Sequence, residues 1–312
     1  METIYWRTES IPQFVLGTAQ LGIPGYGVAS HVPIRDQNAV DSVVSEAWNA
    51  GIRYYDTAQG YGESEYKLGR AFAHLGVPQD ERKIITKIDP GLSPHCSPRL
   101  ETALEKSLSI LGDPLWCVML HHFSWLSDWE NGLGRVLKRA RDAGKIQFLG
   151  VSVYEPAEAM MAIKHPDMDI IQVPANAWDI RLVRNGCFTE ARNADKLIFV
   201  RSVFLQGLLL LPPGIAGMEV KGTGPTAAAW LKFCQQHALT PLEMAVTWAK
   251  RLGFPLVLGA ETAGQIREIA TALDVVTGND IPPFPHTLDE SLLNPSNWPK
   301  NGSVYNGKVS HA

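Results

Sequence analysis

The sequence predicts an α/β protein, a (β/α)8 TIM barrel formed by one domain over residues 1–278. Short apolar segments alternate with amphipathic helical segments between residues 12 and 275, which is typical of a parallel sheet with helices outside it. Eight strand–helix pairs follow one another, and a barrel of this kind typically needs about 250 residues. The competing doubly wound fold requires GxGxxG after its first strand, and Gly17, Gly22, Gly25 and Gly27 do not have that spacing.

The first half of the chain supplies four apolar strands, predicted over 14–18, 52–56, 83–87 and 116–120. Between them, a helix is predicted over 39–51, because apolar residues recur at the spacing of one helical face and Gly51 suits the C-terminal cap. A second helix is predicted over 64–73. A third is predicted from 97 to 111, with Ser97 as its N-cap and Pro98 in its first turn.

The second half repeats the pattern, with strands predicted over 146–151, 169–173, 196–202 and 255–259. One helix is predicted over 133–144, where apolar residues form a single stripe, and another begins near Pro156. Two further helices begin at Thr240-Pro241-Leu242-Glu243 and at Thr262-Ala263-Gly264-Gln265. Both segments have the Thr-x-x-Glu/Gln pattern of a capping box, in which the two side chains satisfy backbone N–H groups reciprocally.

Composition excludes several classes of function. Lys plus Arg number 28 and Asp plus Glu number 32, so the net charge of −4 favours neither nucleic acid nor an anionic membrane as a partner. No apolar run approaches the roughly 20 residues of a membrane-spanning helix, and METIYWRTES lacks the features of a signal peptide. Four scattered cysteines match neither a disulfide framework nor a metal site. We therefore expect a reduced, cytoplasmic protein without a structural metal.

The tail over 279–312 is rich in Pro, Asn and Ser and has no helical stripe, so we expect a loop or C-terminal extension. Its aromatic residues Trp298 and Tyr305 have three open roles: they cover the barrel mouth, pack on the outside, or contact another subunit.

Ionisable residues mark the ends of successive predicted strands. Asp56 ends the second strand, with Tyr61 five residues later, Lys87 ends the third, and His121-His122 follow the fourth. In such a barrel the active site lies at the carboxyl ends of the strands. A tyrosine with an ordinary pKa near 10 is a poor acid at neutral pH; a neighbouring ammonium stabilises the phenolate, and a carboxylate holds the ammonium in place. A neutral imidazole beside them can orient a substrate carbonyl.

The sequence resembles the aldo-keto reductase superfamily over roughly residues 12–275. The segments that carry the resemblance are VLGTAQLG (15–22), GIRYYDTAQGYGESEYKLG (51–69), ITK (85–87), LHHF (120–123), GKIQFLGVS (144–152), RSVFLQGLL (201–209) and LGAETAGQIREI (258–269). The resemblance implies a catalytic tetrad of Asp56, Tyr61, Lys87 and one histidine of the His121-His122 pair. Tyr61 then protonates the carbonyl oxygen while a nicotinamide cofactor delivers hydride to carbon.

The choice between the two histidines stays open in the motif itself. Counting from Leu111-Gly112, the usual spacing favours His122, and His122-Phe123 resembles the family's His–aromatic pair. Strand alternation directs the two side chains to opposite sides, so only one faces the site. We prefer His122.

The resemblance also implies a nicotinamide-cofactor site. Its residues are Gly17, Thr18, Asp56, Ser152, Gln172, Arg201, Ser202, Gly259, Ala260, Glu261 and Gln265. Two positions depart from the family pattern: Val153 replaces an asparagine that helps hold the nicotinamide amide, and Arg201 replaces an aromatic ring that stacks on the nicotinamide. A guanidinium plane can stack in the same way.

The cofactor is NADP or NAD, and the sequence favours NADH at least as much as NADPH. A helix N-terminus after the eighth strand suits the pyrophosphate. Members that prefer NADP place Lys or Arg around the 2′-phosphate, whereas the aligned positions here are Gly259, Glu261 and Gln265, with Arg267 the cation close by. The Glu261 carboxylate would repel a 2′-phosphate and can accept a hydrogen bond from a ribose hydroxyl.

The leading functional hypothesis is an NAD(P)H-dependent reductase of an aldehyde or ketone, with a small-molecule carbonyl or sugar substrate. One alternative is an NAD-dependent sugar or alcohol dehydrogenase, which uses the same tetrad in the oxidative direction. An alternative of another class is a regulatory subunit that binds the cofactor with negligible turnover, like the β subunits of potassium channels.

Overall fold

A closed barrel of eight parallel strands forms the centre of the computed structural model, which describes residues 2–29, 36–275, 282–285 and 288–298. The barrel strands are β3 (Phe14–Gly17), β4 (Tyr54–Asp56), β5 (Lys83–Lys87), β6 (Leu115–Leu120), β7 (Ile146–Ser152), β8 (Ile170–Pro174), β9 (Leu197–Arg201) and β10 (Leu256–Gly259). They are hydrogen-bonded in chain order, and β10 closes on β3 with Gly259 beside Gly17. The predicted (β/α)8 TIM barrel is therefore confirmed.

The helices lie outside the barrel and connect its strands. They are α1 (Ala19–Gly22), α2 (Gln37–Asn49), α3 (Ser64–Leu75), α4 (Ser97–Leu111), α5 (Leu133–Asp142), α6 (Pro156–Lys164), α7 (Arg181–Arg184), α8 (Cys187–Asn193), α9 (Pro213–Glu219), α10 (Gly224–Gln236), α11 (Pro241–Lys250), α12 (Ala263–Asp274) and α13 (Glu290–Leu293). Their apolar stripes pack on the strands, whose side chains are almost all buried on both faces, as expected for a parallel sheet covered by helices.

An antiparallel hairpin that the sequence did not predict precedes the barrel. It consists of β1 (Thr3–Trp6) and β2 (Glu9–Pro12). The Glu9 carboxylate accepts hydrogen bonds from the Tyr54 hydroxyl, the Trp116 indole and the Gln147 amide, at 3.2, 3.1 and 2.8 Å. These three residues lie near the amino ends of β4, β6 and β7, so the hairpin covers the amino end of the barrel. The predicted site residues lie at the opposite, carboxyl end.

Two predicted helix caps differ from the structure. The N-cap of α4 is Cys96 rather than Ser97, which is already the first helical residue. At the start of α12, Thr262 does accept from the Gln265 N–H, but the Gln265 side chain accepts from the N–H of Glu261 instead of Thr262. The reciprocal capping box therefore does not form there, whereas the predicted box between Thr240 and Glu243 is confirmed.

A second apolar cluster lies beside the barrel and includes part of the tail. The loop after β9, helices α9 to α11 and the described tail residues contribute to it. Trp298 is buried in this cluster with Trp230, Phe284 and Leu293, and α13 is a short helix that the sequence pattern did not predict. Trp178 and Leu205, which follow β8 and β9 at the carboxyl end of the barrel, belong to the same cluster. Tyr305 lies outside the described residues.

All four cysteines are free thiols. Within the described ranges, none of the helices has the length and apolar character needed to cross a membrane. Those ranges also contain no group of His, Cys, Asp and Glu side chains arranged to hold a metal ion.

Candidate active site

A buried ion pair lies at the carboxyl end of the barrel. The Lys87 Nζ, at the end of β5, is 2.8 Å from both carboxylate oxygens of Asp56, at the end of β4. The two residues are 1% and 3% exposed. Removing two charges from water costs several kcal/mol for each ion, and only good geometry with further hydrogen bonds offsets that cost. Both conditions are met here.

Two further hydrogen bonds fix the pair. Lys87 Nζ donates to the Thr57 carbonyl at 3.0 Å, and the Gln172 side-chain amide donates to Asp56 Oδ1 at 2.8 Å. The sequence predicted that Gln172, on β8, contacts the cofactor. Its nitrogen instead supports Asp56, and its amide oxygen accepts no hydrogen bond from the described residues, so that oxygen is the atom left for a ligand.

The Tyr61 ring lies directly beside this pair. Its centroid is 5.1 Å from Lys87 Nζ and 5.8 Å from the centroid of the His121 imidazole, which meets it edge to face. Asp56, Tyr61 and Lys87 are thus brought together as the sequence predicted. The tyrosine comes from the loop after β4, whereas the lysine comes from the neighbouring strand, so the barrel register determines their distance.

Close backbone contact positions Tyr61. The loop packs against the end of α1, where a Cβ on Gly22 would lie 1.9 Å from the Tyr61 carbonyl and 2.3 Å from the Ser64 N–H. On the other side, Gly62 has a φ of +57°, and a Cβ there would lie 2.5 Å from the Gly22 carbonyl. Only glycine fits at both positions. The close contact between α1 and the loop therefore requires glycine at 22 and at 62.

A buried hydroxyl network continues this support. The Thr18 hydroxyl donates to the Asp56 carbonyl at 2.9 Å and lies 2.8 Å from the Ser64 hydroxyl, which also contacts the Thr57 hydroxyl at 3.0 Å. Thr18 is fully buried. Its side chain positions Asp56 and the start of α3. The sequence analysis expects Thr18 to contact the cofactor, and this stays a prediction.

The structure distinguishes the two candidate histidines. His121 contacts Tyr61, and its Nδ1 is buried without a hydrogen-bond partner. His122, which the sequence analysis preferred, packs against His121 and the Trp125 ring, with centroids 5.8 and 5.5 Å away. The geometry therefore favours His121 over the preferred His122. The alternation of side chains along a strand predicts that the two histidines point to opposite sides. It does not predict which of them faces Tyr61.

The His121 imidazole is neutral. Burial lowers its pKa to about 3, and the nearby charges of Lys87, His122 and Arg201 act in the same direction. A base whose pKa lies that far below 6.5 does not take up a proton in the neutral pH range. The unpaired, buried Nδ1 is the kind of polar atom that a bound ligand satisfies.

The opposite wall of the mouth is formed by the ends of β7 and β9. Ser152, the last residue of β7, is buried, and its hydroxyl makes no hydrogen bond within the described residues. Arg201, the last residue of β9, has its guanidinium carbon 4.1 Å from the centroid of the Tyr154 ring. It also donates to the Val153 carbonyl at 3.0 Å and to the Ser202 hydroxyl at 3.2 Å.

Tyr26 is a candidate site residue that the sequence analysis missed. It lies in the loop after α1, and burial together with the neighbouring Tyr61 and Tyr154 hydroxyls raises its pKa. Lys87 and Arg201 act on it in the opposite direction, which places Tyr26 between the two walls of the mouth. No local pattern marks this tyrosine, because its position depends on how the loop docks: the Val28 N–H donates to the Gln206 carbonyl at 3.0 Å.

The end of β10 can accommodate a nucleotide. A Cβ on Gly259 would lie 2.4 Å from the Gln20 side-chain amide, so glycine allows that amide to approach the backbone. The first two residues of α12, Ala263 and Gly264, are small, and the N–H groups and dipole of a helix N-terminus favour a phosphate.

A cation on α12 is already paired. Arg267 on α12 lies 2.6 Å from the Glu46 carboxylate on α2. Glu261 is buried, and its backbone N–H donates to Gln265 at 2.6 Å. The predicted contacts Gly17, Ala260 and Ser202 also lie at this end, at or beside the termini of β3, β10 and β9.

The barrel and this tyrosine site define a class of (β/α)8-barrel oxidoreductases. The aldo/keto reductase family model matches residues 13–280, and the chain belongs to that family. An aldo-keto reductase of Mycolicibacterium paratuberculosis is 31% identical over 88% of each chain. The NADH-specific methylglyoxal reductase of Escherichia coli is 23% identical over 88% of this chain and 94% of its own. A solved aldo-keto reductase structure from Pseudomonas aeruginosa, 18% identical, has a TM-score of 0.64 and covers 85% of this chain and 91% of that one.

We predict that Gly22→Ala lowers the free energy of unfolding by about 3 kcal/mol, the upper end of the usual cost of overpacking. The added methyl group meets the Tyr61 carbonyl, which is backbone and cannot rotate away. Gly214→Ala is the control: its Cβ meets nothing within 4 Å, so the substitution should change stability by less than about 1 kcal/mol. Urea denaturation of both variants measures the difference, and equal stabilities would contradict the close-packing argument.

Proposed function

We propose that the protein is an NAD(P)H-dependent carbonyl reductase in which Tyr61 is the general acid. The observation that supports this most strongly is the contact of one phenol ring with a buried, ion-paired ammonium and with a neutral imidazole. A carbonyl oxygen that gains negative charge in the transition state needs a proton donor and fixed positive charge beside it. Family membership supports the same class of reaction.

Each residue of this group has a distinct role. Tyr61 donates its proton to the carbonyl oxygen. Lys87 stabilises the phenolate that remains, and Asp56 holds Lys87 in place through two hydrogen bonds of 2.8 Å. His121, neutral because its pKa is about 3, donates a hydrogen bond that orients the carbonyl without itself losing a proton.

The nicotinamide cofactor supplies the hydride that attacks the carbonyl carbon. Within this chain, Ser152 and the Gln172 amide oxygen are the polar atoms available to its carboxamide, and Arg201 supplies a flat side chain on the same wall. Glu261, Gln265 and the first turn of α12 face the other end of the dinucleotide.

The substrate is a small aldehyde or ketone. The relative from Escherichia coli is a methylglyoxal reductase specific for NADH, and methylglyoxal is therefore the first substrate to assay. The oxidative alternative uses the same tetrad, and we favour reduction because two relatives are methylglyoxal reductases.

Tyr61→Phe should lower kcat for methylglyoxal reduction by about a thousandfold, within the range of 10²–10⁴ that a general acid contributes. The dissociation constant for NADH should stay near the wild-type value, because the hydroxyl acts on the substrate. Tyr66→Phe, at a 53% exposed position on α3, is the matched control and should leave both quantities unchanged.

Retention of more than a tenth of the wild-type kcat by Tyr61→Phe would show that another group donates the proton. If the wild type binds NADH but reduces no aldehyde or ketone in a broad panel, the protein is a cofactor-binding regulatory subunit and the reductase proposal fails.

Replacing each histidine separately tests which one orients the carbonyl. His121→Gln should lower kcat/KM by about a hundredfold, because the hydrogen-bond donor beside Tyr61 is displaced. His122→Gln should change kcat/KM by less than about threefold, since the side chain packs on Trp125. The reverse ranking in steady-state assays would restore the original preference for His122.

NADH should support reduction at least as well as NADPH. The Arg267 guanidinium is held by Glu46, and the Glu261 carboxylate opposes a 2′-phosphate. The comparison is the ratio of kcat/KM for the two cofactors with the same substrate, and a more than tenfold advantage for NADPH would contradict the proposal.

A further inference from the structure

Arg201 lies directly across the barrel mouth from Lys87. In the closed order of strands, four steps separate β5 from β9 in either direction, so the two side chains begin on opposite walls. Tyr61 and His121 belong to the wall of Lys87. The other wall is formed by Ser152 at the end of β7, Gln172 within β8 and Arg201 at the end of β9.

The guanidinium is held in one orientation. Its carbon Cζ lies over the Tyr154 ring, 4.1 Å from the centroid, and two of its five N–H groups are fixed by the Val153 carbonyl and the Ser202 hydroxyl. Ser202 has a φ of +59°, a left-handed conformation that is uncommon outside glycine, so the turn after β9 is shaped to bring its hydroxyl to this arginine.

Its charge is uncompensated. Within the described part of the chain, no carboxylate lies within ion-pair distance of Arg201, whereas Arg181 nearby bonds to both Asp179 and Glu155. On the opposite wall, Asp56 neutralises Lys87. Among the described residues, Arg201 is therefore a positive charge at the barrel mouth without a carboxylate partner, and this charge helps to keep the His121 imidazole neutral.

The two walls determine what lies next to Arg201. Because the carbonyl oxygen must reach Tyr61 and His121, a bound substrate would lie on the side of Lys87. The residues that would hold a nicotinamide ring beside it are those of the wall of Arg201. The oxidised ring carries one positive charge, and the reduced ring carries none. All other parts of the dinucleotide are the same in both forms.

We propose that Arg201 makes the protein prefer NADH to NAD⁺, because its fixed, uncompensated charge would disfavour an oxidised nicotinamide bound next to it. The inference rests on the proposed function. The protein then binds NADH more tightly than NAD⁺. The tighter binding of NADH loads the cofactor form that reduction needs, and the weaker binding of NAD⁺ speeds its release after the reaction. Arg201 acts as a specificity determinant for the redox state of the cofactor, distinct from the residues that transfer the proton.

The test is equilibrium binding, measured by tryptophan fluorescence with NADH and with NAD⁺ in the absence of substrate. The ratio of the two dissociation constants isolates the ring charge, because contributions from pyrophosphate and ribose cancel. The wild type should bind NADH more tightly. Arg201→Gln, and Arg201→Met as a second neutral variant, should reduce that ratio by about tenfold or more, mainly through tighter NAD⁺ binding, as expected for like charges at contact distance.

Arg201→Lys keeps the charge and should keep most of the ratio, and the exposed Arg139→Gln should leave it at the wild-type value. The inference is overturned if the neutral variants weaken both nucleotides equally, which would indicate only a stacking surface, or if the wild type binds NAD⁺ as tightly as NADH. Failure of the wild type to bind either nucleotide would instead overturn the proposed function, and the inference with it.

Discussion

The buried ion pair between Asp56 and Lys87 is the interaction on which the rest of the site depends. Two charges that are almost completely removed from water persist only because each is surrounded by short hydrogen bonds, from Lys87 to Thr57 and from Gln172 to Asp56. The pair and its partners lie in or directly after three different strands, β4, β5 and β8. The barrel must therefore close in the correct register before the ammonium can be held next to Tyr61, and in this sense the fold is a requirement of the chemistry.

Backbone contact, rather than side-chain packing, supplies the remaining constraint on Tyr61. Gly22 and Gly62 let the end of α1 touch the loop at a distance that no Cβ permits. The hydroxyls of Thr18, Thr57 and Ser64 then join this loop to β3 and β4. A rigid support of this kind keeps the phenol in place before substrate arrives, which reduces the cost of orienting it in the transition state.

Local patterns were sufficient to predict the barrel and three members of the candidate tetrad. Apolar strands and amphipathic helices are properties of short segments, and Asp56, Tyr61 and Lys87 lie in or beside them. Features that depend on distant contacts were not predictable. The first hairpin is fixed by Glu9 bonding to residues of three strands, and Tyr26 reaches the site only because its loop docks on the turn after β9.

A double-mutant cycle on the ion pair tests the central claim most directly. Asp56→Asn, Lys87→Met and the double variant would be compared by kcat for carbonyl reduction, with folding verified by circular dichroism. If the carboxylate acts only by holding the ammonium beside Tyr61, the double variant should be no slower than the slower single variant, because either substitution already abolishes the same function. Losses that multiply in the double variant would show that the two residues act independently, and would contradict this account.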